Sequence, residues 1–174
     1  MKLKPSLGIL LLVSASLLGA CSNESSALNE EQPKVKVITK LSTLNNKEYR
    51  EVGTEQLKNP KKDDFRKVNI ELTLSGVDKI EEEKVVMPSY KKIFNTIDKD
   101  ELVRYWFGEG DAKKDDEENK EVFNQEFVLY TKNLSKDDIR NALETNVIKT
   151  SWVNKDNKEK VQHEVTAADS ISFK

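Results

Sequence analysis

The chain has one cysteine, one histidine, four prolines and six glycines among its 174 residues, and these scarcities close off whole classes of chemistry. A lone cysteine, Cys21, leaves no internal disulfide to form, so stability has to come from packing. A lone histidine, His163, excludes a zinc site built on two imidazoles and leaves no redundancy for a Ser-His-Asp arrangement. Its neighbours Val161 and Val165 set it on or beside the apolar face of a strand, which is a structural position. No glycine-rich phosphate loop and no Gly-x-Ser-x-Gly elbow occurs. Positive charge is also in short supply: 29 Lys and Arg stand against 31 Asp and Glu, for a net charge of -2. Nucleic acid needs a concentrated positive patch, so it is not an expected partner. No cofactor and no metal is expected either.

The informative stretch is the beginning. Residues 1–5 carry Lys2 and Lys4, an apolar run over 7–13 continues through Ala15, Leu17 and Leu18, and small residues precede Cys21. That is the three-part layout of a secretory signal, too short to span a bilayer comfortably. The tetrad Leu18-Gly19-Ala20-Cys21 resembles the lipobox of bacterial lipoproteins. The resemblance covers the leader and Cys21 only. It implies cleavage between Ala20 and Cys21, a diacylglycerol and fatty acyl chains such as palmitate on Cys21, and a domain held on the extracytoplasmic face of the cell membrane. Small Gly19 and Ala20 admit an extended backbone to a protease, and the thiol is the side chain nucleophilic enough to take the lipid. Two acyl chains anchor stably where one is marginal, at about 0.8 kcal/mol per buried methylene. Cleavage would remove Lys2 and Lys4 and no acid, moving the net charge from -2 to -4.

Three parts follow: a signal peptide over 1–20, the lipidated cysteine and a flexible tether over 21–34, and a single β-rich domain over 35–174. Residues 22–34 are polar and nearly devoid of large apolar groups, so they have too little surface to bury. Thirteen such residues reach about 20 Å on average, enough to clear lipid headgroups.

Alternation marks the strands. Val35, Val37, Thr39 and Leu41 share one face, and Val68, Ile70, Leu72 and Leu74 do so more clearly, with Gly76 as the stop. A short strand is expected near 49–52 and another over 84–87, where Pro88 confines it to an edge or an end. Tyr90, Ile93, Phe94 and Ile97 have helical spacing. Helical turns over 98–102 should then lead into a strand carrying Tyr105, Trp106 and Phe107. Residues 109–121 are so heavily charged that they read as a solvated loop. Over 121–131, Phe123, Gln125, Phe127 and Leu129 form the face expected to be buried. Ser135 is an N-cap, Asp137 and Asp138 suit the positive end of a helix dipole, and Ile139, Ala142 and Leu143 make an apolar helix face. Residues 147–153 and 160–166 read as a hairpin around Asn154 to Lys158, and Ile171 and Phe173 as a last strand. Seven or eight short strands with one short helix near 135–145 predict a mostly β chain, an antiparallel β-sandwich of immunoglobulin-like type. The cysteine pair of true antibody domains is absent.

Few residues offer chemistry. The acids from Asp111 to Glu118 have the hard oxygens calcium needs, but lysines interrupt them and no glycine stands at the sixth loop position. Glu81, Glu82 and Glu83, or Asp98 and Asp100, offer carboxylate pairs, which a chain with 34% charged residues supplies by chance. Tyr105, Trp106 and Phe107 are the strongest cluster: alternation puts Trp106 opposite the other two, so at least one ring must find cover outside a single core or serve as a binding patch. The reading is an anchored surface lipoprotein acting as a binding or interaction module for another envelope protein. The alternatives are an envelope enzyme acting on wall polymer through a carboxylate pair, and a passive structural spacer.

Overall fold

A computed structural model describes residues 33–174 apart from residue 56, residues 98–103, residue 116 and the side chains of Phe107 and Glu109. The leader, Ala20, Cys21, nearly all of the tether and the turns expected over 98–102 lie outside the described residues.

Eight strands build two sheets. In chain order they are β1 (Lys34–Thr43), β2 (Phe65–Ser75), β3 (Ile80–Val86), β4 (Tyr105–Asp115), β5 (Lys120–Tyr130), β6 (Val147–Asn154), β7 (Lys160–Thr166) and β8 (Ile171–Phe173). Helices α1 (Asn46–Glu51), α2 (Tyr90–Asn95) and α3 (Lys136–Glu144) lie between strands. One sheet has the order β4-β5-β2-β1-β8 and the other β3-β6-β7. All neighbours are antiparallel except β8, which runs parallel to β1. The chain is a mostly β, sandwich-like domain, as the alternation implies. Without β8, the orders 4-5-2-1 and 3-6-7 coincide with the D-E-B-A and C-F-G orders of a constant-type immunoglobulin sandwich.

Strand β2 is the centre of the larger sheet. Its register sets Val68 between Leu41 and Phe127, and Leu72 between Val37 and Phe123. Because side chains alternate, these rows all point the same way, and they meet Ile148 of β6 with Tyr90, Phe94, Ile139 and Leu143 of the two later helices in one core. Ile139 and Leu143 stand four residues apart on α3, so one helix face delivers both, at about 1.5–3 kcal/mol of burial each. Ser135 caps that helix and Asp138 completes a capping box.

Three local readings change. Residues 46–51 form a helix instead of a strand near 49–52, because Asn45 accepts from the Lys47 and Glu48 amides and Glu48 returns a bond to the Asn45 amide. With α2 as well, α-helices number three among the described residues, not one. The charged stretch 109–121 is not a loop: most of it is the β4–β5 hairpin. As an edge strand with one open face, β4 tolerates charges such as Asp111 and Lys113, and they also discourage edge-to-edge pairing.

The outer face of the larger sheet carries its own small core. Phe65 alternates to the side opposite Val68 and joins Val128, Tyr130, Leu44 and Val52. The segment holding α1 supplies the cover for this end of the sheet, and the rest of the outer face is mostly polar, with Ile38 and Val122 among its residues.

Candidate functional site

Tyr105, Trp106 and Phe107 begin β4 at an irregularity. Tyr105 is opposite Leu129 and Gly108 opposite Phe127, so three steps along β4 match two along β5. The extra residue is a bulge, which strengthens twist and re-aims side chains. The inward Tyr105 ring stacks on Phe127, centroids 5.0 Å apart and 24° between planes. Burial pushes its phenol above the usual tyrosine value. Its backbone amide, like that of Arg104, donates to the Asn95 side-chain oxygen at 2.8 Å, which locks the strand start to the end of α2.

Trp106 leaves by the other face. Its ring meets Phe65 edge-on at 6.1 Å and 84°, and its indole N–H donates to the Val52 carbonyl. Tyr105 and Trp106 are each half-buried in the packing of their own domain and do not present one joint aromatic surface. The Phe107 side chain lies outside the described residues.

Arg104, which the sequence reading passed over, is buried to 2% exposure beside them. Its guanidinium donates to the Lys132 carbonyl at 2.6 Å and lies 5.6 Å from the centre of the Tyr130 ring. It ties the start of β4 to the turn after β5. The signal was available only in hindsight, as one arginine inside an otherwise apolar stretch.

His163 sits on β7 with its ring stacked on Trp152 at 5.9 Å and 11°, while Thr150 opposite it donates to its carbonyl at 3.5 Å. Among the described residues no group of three or more His, Cys, Asp or Glu is placed to hold a metal ion. Of the acids, Glu81 pairs with Lys158 at 3.0 Å. Glu121 is different. It faces the sandwich interior beside Leu74, one carboxylate oxygen is buried with no hydrogen-bond partner, and burial, followed by the nearby Glu83 charge, raises its carboxyl above the usual range. Glu83 comes from β3 in the other sheet, so this pairing is tertiary and invisible in sequence.

Two depressions lie among the described residues. A groove of about 400 Å³ runs between α2 and α3 over Ile93, Ile97 and Ala142. A second pocket, of about 210 Å³, lies where α3 begins, bounded by Arg66, Lys136 and Phe173 among others. Among the described residues no helix is long and apolar enough to cross a membrane.

No protein-family model, no curated protein and no solved structure matches this chain.

Proposed function

We propose that this protein is a lipid-anchored protein of the extracytoplasmic membrane face, whose immunoglobulin-like sandwich serves as an interaction module for another envelope protein. The anchoring half of the reading rests on Leu18-Gly19-Ala20-Cys21 behind a charged and apolar leader. The single observation that carries the interaction half is the strand order, 4-5-2-1 against 3-6-7, an arrangement that many cell-surface domains use to present strands and loops to a partner. It is an analogy of architecture, and the site has to be argued separately. The polar outer face of the larger sheet is the surface we assign to the partner. There Asn69 of β2 faces Glu126 of β5, and Glu71 faces Asn124. None of the four side chains hydrogen-bonds to another described residue. Their donors and acceptors are free for a partner, whereas Tyr105 and Trp106 are already engaged.

The experiment has two arms. Metabolic labelling with an alkyne fatty acid should mark the wild type and not Cys21→Ala. In-cell photo-crosslinking from position 126 should then give one dominant protein adduct, with a probe at Lys92 as control. An unlabelled wild type would end the anchoring half, and no adduct from 126 in labelled cells would end the interaction half.

One observation favours the enzyme alternative. A carboxyl raised by burial, with a second carboxylate near it, is what a general acid requires, and Glu121 with Glu83 meets that description. Hydrolysis of wall polymer abolished by Glu121→Gln would establish that alternative.

A further inference from the structure

The pocket at the start of α3 has an unusual composition. Leu41 at the end of β1 and Ile139 on α3 are buried and make its floor, Leu134 and Phe173 are half-buried and make its walls. Over this apolar surface stand Arg66 and Lys136, and Lys174 adds a third side-chain cation at the edge.

The two cations are held in place but not neutralised. Nη1 of Arg66 donates to the carbonyls of Asp63 at 2.8 Å and Phe65 at 2.7 Å, which fixes the guanidinium plane. Nε and Nη2 have no partner among the described residues. Lys136 lies across the wall, its ammonium 5.2 Å from the centre of the Phe173 ring. No carboxylate of a described residue is within ion-pair distance of Arg66, Lys136 or Lys174. Lys67, by contrast, has found Glu48 at 2.7 Å. Like charges gathered over an apolar floor repel one another unless an anion joins them. A guanidinium with a free edge is the side chain best shaped to hold an oxyanion.

We infer that this pocket binds a small organic acid, a carboxylate or phosphate ester whose oxygens meet Arg66 and Lys136 while a ring-sized apolar body rests on Phe173, Leu134 and Ile139. The size agrees: a dry cavity of roughly 150 Å³ accommodates benzene, and this pocket has about 210 Å³, leaving room for one acid group beside one ring. The inference deepens the binding-module reading by giving the domain a ligand as well as a protein surface. The two fail separately, because the pocket is opposite in character to the Asn69–Glu126 face and is tested with different probes.

The test uses the full chain in micelles of a zwitterionic detergent. Phenyl phosphate, benzoate, inorganic phosphate and uncharged benzyl alcohol are titrated by calorimetry and ligand-observed NMR. Phenyl phosphate and benzoate should bind at one site, and the other two should bind at least about tenfold more weakly, since each lacks half of the recognition. Arg66→Gln should weaken phenyl phosphate by about tenfold or more, the scale of a charge-assisted hydrogen bond. Lys136→Gln, at an exposed position where folding is not at risk, should weaken it severalfold, and the remote Lys113→Gln should leave it unchanged. Equal affinity for inorganic and phenyl phosphate, or wild-type affinity in Lys136→Gln, overturns the inference. So does binding only to vesicles of anionic phospholipid with no response to the free acids, which would make the cations a membrane-facing surface.

Discussion

Replacing Trp106 with alanine tests whether that side chain belongs to the fold or to a partner. The ring is half-buried against Phe65 in the core on the outer face of the larger sheet, and the indole N–H is given to the Val52 carbonyl. Removing a fully buried tryptophan costs about 3–5 kcal/mol, so a half-buried one should cost about 2. The orphaned Val52 carbonyl adds about 1, for a total of about 3 kcal/mol. At a urea slope of about 2 kcal/mol per molar, the unfolding midpoint falls by about 1.5 M. Trp106→Phe keeps an aromatic edge against Phe65 and loses the hydrogen bond, so it should cost about 1 kcal/mol.

Trp152 offers the readout, because it reports from a different cluster, with Val77 and Ile80. Urea denaturation of both variants is followed by Trp152 fluorescence and by circular dichroism. If alanine at 106 moved the midpoint by less than the equivalent of about 0.5 kcal/mol, the outer core would contribute nothing to global stability, and the packing argument would fail. If the fluorescence midpoint held while amide exchange in α1 accelerated, the covering segment 44–60 would be detaching as a unit on its own.

Three further predictions follow from local geometry. Gly108→Ala places a methyl group 2.6 Å from the Glu126 carbonyl and in collision with Phe127 and the Tyr105 hydroxyl, so thermal unfolding should show a loss of about 1–3 kcal/mol. Ser135→Ala removes the N-cap of α3 and should cost about 1 kcal/mol at pH 7. Hydrogen bonds from Ser135 hold the Asp138 carboxyl below its ordinary value of 3.8, so that stabilisation is present above about pH 4 and is lost as pH falls through the lowered value. The alanine variant should therefore show a flatter acid limb in denaturation at pH 2 to 5. Glu121 has the opposite sign. Its carboxyl is raised above 4.5 in the fold, so the folded state holds the proton longer and stability declines as pH rises from 4.5 through the raised value. Glu121→Gln should remove that decline and equal or exceed the wild type at pH 7, and a loss of stability there would refute the assignment.

The larger sheet was readable because β2 alternates cleanly over its length and its neighbours obey the same period. Phe123, Gln125, Phe127 and Leu129 do lie on the inner face, and Ser135 does cap a helix. Short elements were misread where local chemistry outweighed pattern. The apolar residues of 44–57 have no period because they cover a sheet face from a loop and a six-residue helix, and the deciding signal was the pair Asn45 and Glu48 at cap spacing. The charges of 109–115 obscured a strand because an edge strand with one open face has no need of apolar residues there. The candidate site was less legible still. Arg66 and Lys136 are 70 positions apart in sequence and look like ordinary surface cations. Only the meeting of β2, α3 and β8 puts them over the same apolar floor.

The division of labour between the faces limits where recognition can occur. The inner face of the larger sheet is consumed by the core shared with β6, α2 and α3, and one end of its outer face by Phe65, Trp106 and the covering segment. What remains of the outer face is mostly polar, with Ile38 and Val122 set among Lys36, Glu71, Thr73 and Asn124, so the sheet faces offer a ligand little continuous apolar surface without unfolding one of these cores. Apolar contact combined with free charge occurs at the pole of the sandwich where α3 begins, and there the cations lack acids. A polar sheet face suits a broad hydrated partner, and the pole suits a small acid. Because no residue is common to the two, Glu71→Lys should weaken crosslinking from position 126 without changing phenyl phosphate affinity, and Lys136→Gln should do the reverse. Loss of both by either substitution would mean that a change in folding, and not recognition, was being measured.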